Sequence, residues 1–373
     1  MTLTLPSSGV GPARDHRGSP LPNGAMIRTR IMELRKRQGL MSALVAVNIG
    51  IPVIFFAIRI IMHAVSPHSF GAAGGYSIFN DVTEGVLFIF GFIVAATLGC
   101  FAGSADLTEG VFRHLVVTGR SRVALYLARI PAGLAILVPL VAVGFAVVCA
   151  VCVFAAPATV NYDGVNVAPG LSQAQFVRFS ENHAGEVACR FNYRNVNINV
   201  PCGPQGLATK RQLPPGVSLP STATLQRDAV KIADQNYAAY SETFRTPPLA
   251  LMVDAGLWVE LEAVLGFVVG LGLASLMGQR TVPVVIMIVF EVILTPLLAN
   301  HAIAHLVNAQ RALMGTAMAN LEPGQLPPVF GGGQGPGAHS GVYESTTVAI
   351  CVIVAWIVGW SALGAWRMAR RDA

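Results

Sequence analysis

A few charged side chains stand inside long apolar runs of this sequence, where a charge is costly and so informative. Glu291 falls near the middle of "MIVFEVILTP", Glu260 and Glu262 lie in "LWVELEAVLG", and Arg59 stands near the end of the first apolar run. An acid or base at the centre of a bilayer costs roughly 3 kcal/mol or more. The chemistry such residues offer is a polar lining for a translocation path. The plainer alternative is an interhelical ion pair or a protonated acid that hydrogen-bonds a neighbouring helix. Glu260 and Glu262 are two residues apart, about 200° round a helix, so only one of them can face any single cavity. Arg59 is a candidate partner for Glu260, Glu262 or Glu84.

Other reactive residue types point to less. Cys149 and Cys152 have a Cys-x-x-Cys spacing, but inside "VVCAVCVF" they read as small core residues rather than a redox pair. His301 and His305 are spaced i, i+4 without a third ligand nearby in sequence, so no metal site is expected. The three lysines, Lys36, Lys210 and Lys231, never follow a glycine, so there is no phosphate-binding loop of the Gly-Lys-[Ser/Thr] type. No His-Glu-x-x-His or Gly-x-Ser-x-Gly motif is present either. The expectation is a protein that is not an enzyme and holds no cofactor of its own.

The elements that must position these groups follow from composition. The chain has 373 residues, 53% hydrophobic and 12% charged, with a mean hydropathy of +0.59. Soluble domains carry about 25% charged residues. Apolar runs at 41–64, 85–102, 125–156, 256–276, 282–300 and 346–366 each supply the ~20 residues that cross a bilayer, the third being longer than a span needs. The fold class expected is an all-α polytopic membrane protein with six transmembrane helices. Arg and Lys collect before the first run, between the second and third, and after the sixth, whereas the loops after the first and fifth offer only Arg311. Short cytoplasmic loops accumulate such charge, which places both termini in the cytoplasm. The net charge of +6 is therefore a topology signal, with the lipid bilayer as its partner and nucleic acid excluded. The expected location is a plasma membrane, bacterial and multi-pass.

Around the spans the chain divides as follows. Residues 1–26 form a disordered cytoplasmic tail without a cleavable signal peptide, and 27–40, "IRTRIMELRKRQGL", an interfacial helix. Residues 41–156 hold spans one to three, and 249–300 spans four and five. Residues 301–343 hold an outer or re-entrant helix and a Gly-rich loop, and 344–373 the sixth span and a tail. Arg129 is placed to reach lipid headgroups. Residues 157–248 form a small mixed extracellular insertion, with "FVRF" and "CRFNYRNVNINV" read as strands and 224–244 as a helix. Cys189 and Cys202, the two of six cysteines outside apolar runs, are expected to form a disulfide there. It would be worth about 3 kcal/mol on a chain-entropy estimate.

One charged island interrupts the apolar half of the chain: "DLTEGVFRHLVVTGRSR", residues 106–122. Leu107, Val111, Phe112, Leu115 and Val116 repeat as one helical face. Asp106 and Glu109 match a capping box, and Gly119 a left-handed helix end. Gly110 in the interior, costly by about 1 kcal/mol, suggests close packing against the backbone. The expectation is a short cytoplasmic helix over 106–119, followed by a basic turn.

This stretch resembles the loop after the second span in the type 2 family of ATP-binding-cassette transporter permeases, an acidic residue and glycine before a short helix, then a Ser-Arg turn. The matching positions are Glu109, Gly110, Thr118, Ser121, Arg122 and Arg129. The resemblance implies the permease subunit of an exporter, a homodimer or heterodimer with a second permease, driven by a separate cytoplasmic ATPase that binds ATP and Mg. The ATPase-coupling residues would be Leu107, Glu109, Gly110, Val111, Phe112, Arg113, Leu115, Thr118, Gly119, Arg120 and Ser121. The insertion departs from the family pattern. A competing expectation is a secondary transporter or channel with Glu291 as its proton or cation site.

Overall fold

The computed structural model describes residues 21–66, 70–108, 110, 121–158, 160–162, 165–183, 188–193, 196–201, 222–243, 245–299, 302–324, 326 and 342–370. Six helices are long and apolar enough to cross a membrane, one for each apolar run: α2 (Gln38–Val65), α3 (Tyr76–Thr108), α4 (Arg122–Phe154), α7 (Leu249–Met277), α8 (Thr281–Ala299) and α11 (Thr346–Arg370). They are preceded by α1 (Gly24–Lys36), which Asn23 starts by accepting a hydrogen bond from the Met26 N–H at 2.9 Å. That cap explains why the helix begins a few residues before the basic stripe.

The bundle is built round α3 and α7, the two most enclosed of the six. Lipid supplies no hydrophobic drive between helices, so close backbone approach through small residues has to do the work. Phe92, Ala96, Gly99, Cys100 and Gly103 on α3 meet Gly266, Phe267, Gly270, Leu271 and Ala274 on α7, all buried. A Cβ at Gly99 or Gly103 would collide with the carbonyl of Phe267 or Leu271 across the interface. Helices α2, α4, α8 and α11 pack outside this pair and expose Ile54, Ile61, Val143, Leu297 and Val358, the surface a bilayer or a second subunit would cover.

The insertion forms a small unit of its own. Hairpin β1 (Val160–Tyr162) and β2 (Val165–Val167) precedes α5 (Gln173–Asn182), hairpin β3 (Ala188–Tyr193) and β4 (Val196–Pro201), and α6 (Thr222–Thr243). Both hairpins are antiparallel, and the register sets Cys189 opposite Val200. Cys202, and with it the expected disulfide, lies outside the described residues. "FVRF" is helical, not a strand: it belongs to α5, which a reciprocal Ser172–Gln175 capping box starts. Val167, Phe176, Ala233 and Tyr240 make the core of the unit, with Phe176 and Tyr240 stacked at 4.1 Å.

Residues 302–320 are not one helix. Val307–Arg311 (α9) and Met314–Ala319 (α10) are separate short helices. The break falls at Ala312 and Leu313, beyond which Met314 to Met318 are fully buried against the bundle. His305 is exposed, and His301 lies outside the described residues. Cys100, Cys149, Cys152 and Cys351 are free thiols.

Candidate functional site

Two places collect the polar groups singled out in the sequence. The first is the junction before the charged island. Helix α3 continues through Asp106 and Leu107 to Thr108, whose hydroxyl turns back to the carbonyls of Ser104 and Ala105. Asp106 therefore does not cap the start of a following helix. Its side chain is 2% exposed and fully engaged inside the protein. Gly110 has φ +69°, with none of the described residues within 4 Å of where a Cβ would be. Its left-handed backbone just past the end of α3 accounts for the glycine, without the close packing that the sequence suggested among the described residues. Leu107 packs partly buried on the core, and Ser121 precedes α4 with an extended backbone. Glu109 and residues 111–120, with Val111, Phe112, Arg113, Leu115, Thr118, Gly119 and Arg120, lie outside the described residues.

Two arginines share the Asp106 carboxylate. Arg30 of α1 donates from Nη1 to Oδ1 at 2.7 Å and from Nη2 to Oδ2 at 2.5 Å. Arg129 of α4 donates from Nη2 to Oδ2 at 2.5 Å and from Nη1 to the Gly103 carbonyl at 2.8 Å. Arg129 is thus a buried structural cation, not a headgroup ligand: it is 2% exposed. The Ser275 hydroxyl of α7 lies 3.2 Å from the same Gly103 oxygen. Glu33 accepts from Arg30 at 2.7 Å, so two acids face two bases and the cluster is neutral. Bidentate geometry of this kind gives the strongest charged hydrogen bonds. Burial acts to lower the Arg30 pKa, but hydrogen bonds and charge from Asp106 and Glu33 outweigh it and raise it above the ordinary value. Met26, Arg30 and Leu34, spaced i, i+4, i+8, form the inner stripe of α1. Met26 packs with Ala124, Leu125 and Ala128 of α4.

The second place lies between α7, α8 and α10. Glu262 and Glu291 are buried there, close enough to interact electrostatically. The Thr295 hydroxyl is 3.2 Å from Glu291 Oε2. Among the described residues, Glu291 Oε1 and both oxygens of Glu262 have no hydrogen-bond donor. Glu291 sits in a π-helical turn, Val289–Leu294, a local widening that often marks functional positions. Helix α10 closes the site. A Cβ on Gly315 would overlap Glu291 Oε1, and Trp258 Nε1, one turn before Glu262, donates to the Met318 carbonyl at 2.9 Å.

Glu260 is half-buried on another side of α7, as the 200° separation requires, and does not join the pair. Arg59 is not the counter-ion of any of these acids among the described residues. Its Nη2 donates to the Ala72 carbonyl at 3.0 Å and its guanidinium lies over the Phe55 ring. Nor do the described residues contain a group of three or more His, Cys, Asp or Glu side chains able to hold a metal ion.

No protein family, curated protein or solved structure matches the chain.

Proposed function

We propose that the chain is the membrane-spanning permease subunit of an ATP-driven exporter of the type 2 ATP-binding-cassette kind. In this reading both termini face the cytoplasm of the cell whose plasma membrane it crosses. Two permease subunits, alike or different, enclose the path, and a separate cytoplasmic ATPase binds ATP and Mg. The observation that carries the proposal is the patterned charged segment 106–122 between the second and third apolar runs, in a chain with six helices able to span and no phosphate-binding loop. The apolar repeat of Val111, Phe112 and Leu115 in the sequence has a purpose if another protein receives it. Two features support a force-bearing role for the segment. Both helices flanking it, α3 and α4, are gripped at their ends by the Asp106 cluster. Gly110 also gives the chain a sharp turn where the segment begins. An apolar path with few charges suits an apolar or amphipathic substrate better than a highly charged one.

The test is purification of the chain from its native membrane and a search for a bound ATPase. Replacing Phe112 and Leu115 by aspartate is expected to release that ATPase, or to leave its hydrolysis uncoupled from transport. Unchanged assembly and coupling in that variant would remove the assignment.

The buried Glu262–Glu291 pair favours one second reading, a secondary transporter or channel in which these acids carry a proton or cation. Transport that survives ATP depletion and follows the proton gradient would replace the first reading with this one.

A further inference from the structure

We propose that Asp106 is a positioning residue that makes α1 a rigid part of the unit carrying segment 109–120, so that the helix before the first span moves with that segment. The inference rests on the exporter reading for what drives the motion, but its geometry stands by itself.

Three features of the cluster carry it. The carboxylate belongs to the last turn of α3, three residues before the segment begins, and Arg129 lies nine residues beyond its other end. Any displacement of the segment therefore reaches both sides of this one carboxylate. Next, Arg30 commits both of its terminal nitrogens to Asp106, and the two lie 76 residues apart in sequence. A bidentate fork fixes direction as well as distance, which a lysine or a lipid contact would not. Last, the rest of α1 is weakly held. Met26 and Leu34 are its only buried apolar residues, while Arg28, Met32, Arg35 and Lys36 face outward. The Arg30 fork, flanked by these two contacts, is what binds the helix to the bundle. The Gly103 carbonyl, shared by Arg129 and Ser275, extends the joint to α7. Side chains of α1, α4 and α7 thus converge on one turn of α3.

Amide hydrogen exchange over residues 24–36 of the purified full chain tests the joint without the ATPase. Exchange there is expected to rise about tenfold or more in Asp106→Asn and in Arg30→Gln, since local opening sets the rate. The second variant leaves Asp106 paired with Arg129, so it keeps the proposal testable if the first does not fold. Asp106→Glu should restore much of the protection, and exchange in α7 should stay at the wild-type level throughout. Wild-type exchange over 24–36 in Arg30→Gln would overturn the joint. With the ATPase bound, addition of ATP and Mg should change protection over 24–36 in the wild type and not in Arg30→Gln, while the ATPase remains attached in both. A wild-type response that persists in Arg30→Gln would overturn the proposed coupling. If no ATPase accompanies the wild-type chain, the exporter reading fails, and the first measurement still decides the joint.

Discussion

Gly315 presses its bare Cα against the carboxyl of Glu291, so closely that a Cβ there would overlap Oε1 and lie 2.5 Å from the Thr295 methyl. The contact locks the buried helix α10 onto the π-helical turn of α8. Gly315→Ala should therefore cost about 1–3 kcal/mol through overpacking, even though alanine favours a helix by about 1 kcal/mol. Thermal unfolding in detergent reads the loss. Adding Glu291→Ala should recover about 1 kcal/mol relative to the sum of the single changes, because residues in contact couple. Strict additivity would mean that the two do not touch.

How much of this was legible in the sequence follows from the range of each interaction. A spanning helix is a property of about twenty consecutive residues, and all six runs correspond to helices. The α5 capping box was equally local, since Ser172-x-x-Gln175 stands in the sequence. The alternation in "FVRF" hid it, because Phe176 and Phe179 suit one face of a helix as well as a strand. Asp106 shows the reverse failure. Asp-x-x-Glu fits the start of a following helix, and only the contact with Arg30, 76 residues away, reveals the last turn of the preceding one. Glu262 and Glu291 were each visible as costly charges. That they meet, while Arg59 turns to Ala72, depends on helix rotation, which no local pattern encodes.

Tyr240 is expected to hold the small outer unit together through its hydroxyl, which donates to the Ala168 carbonyl at 2.7 Å and accepts from the Leu171 N–H at 3.2 Å. Tyr240→Phe keeps the ring on Phe176 and removes both bonds, at a cost of about 1–2 kcal/mol to that unit. Hydrogen exchange over residues 171–183 should rise by about five- to thirtyfold, with the spanning helices unaffected. Protection lost throughout the bundle instead would show that the unit and the spans unfold together.

Glu262 offers the sharpest separation of structure from function. Among the described residues its two oxygens lack donors, and it interacts electrostatically with another acid, Glu291, so as a structural element it is poorly satisfied. Glu262→Gln has nearly the same shape, removes one ionisable acid from the buried pair and puts a permanent N–H donor group in its place. The expected result is a gain of about 1 kcal/mol in stability, as happens when a residue kept for function is replaced. Transport or ATP-coupled activity should fall in the same variant if the pair lines the path. Thermal unfolding and a turnover assay on one preparation measure both. A loss of stability with activity unchanged would reverse the assignment, making Glu262 a structural acid and removing the pair from the path.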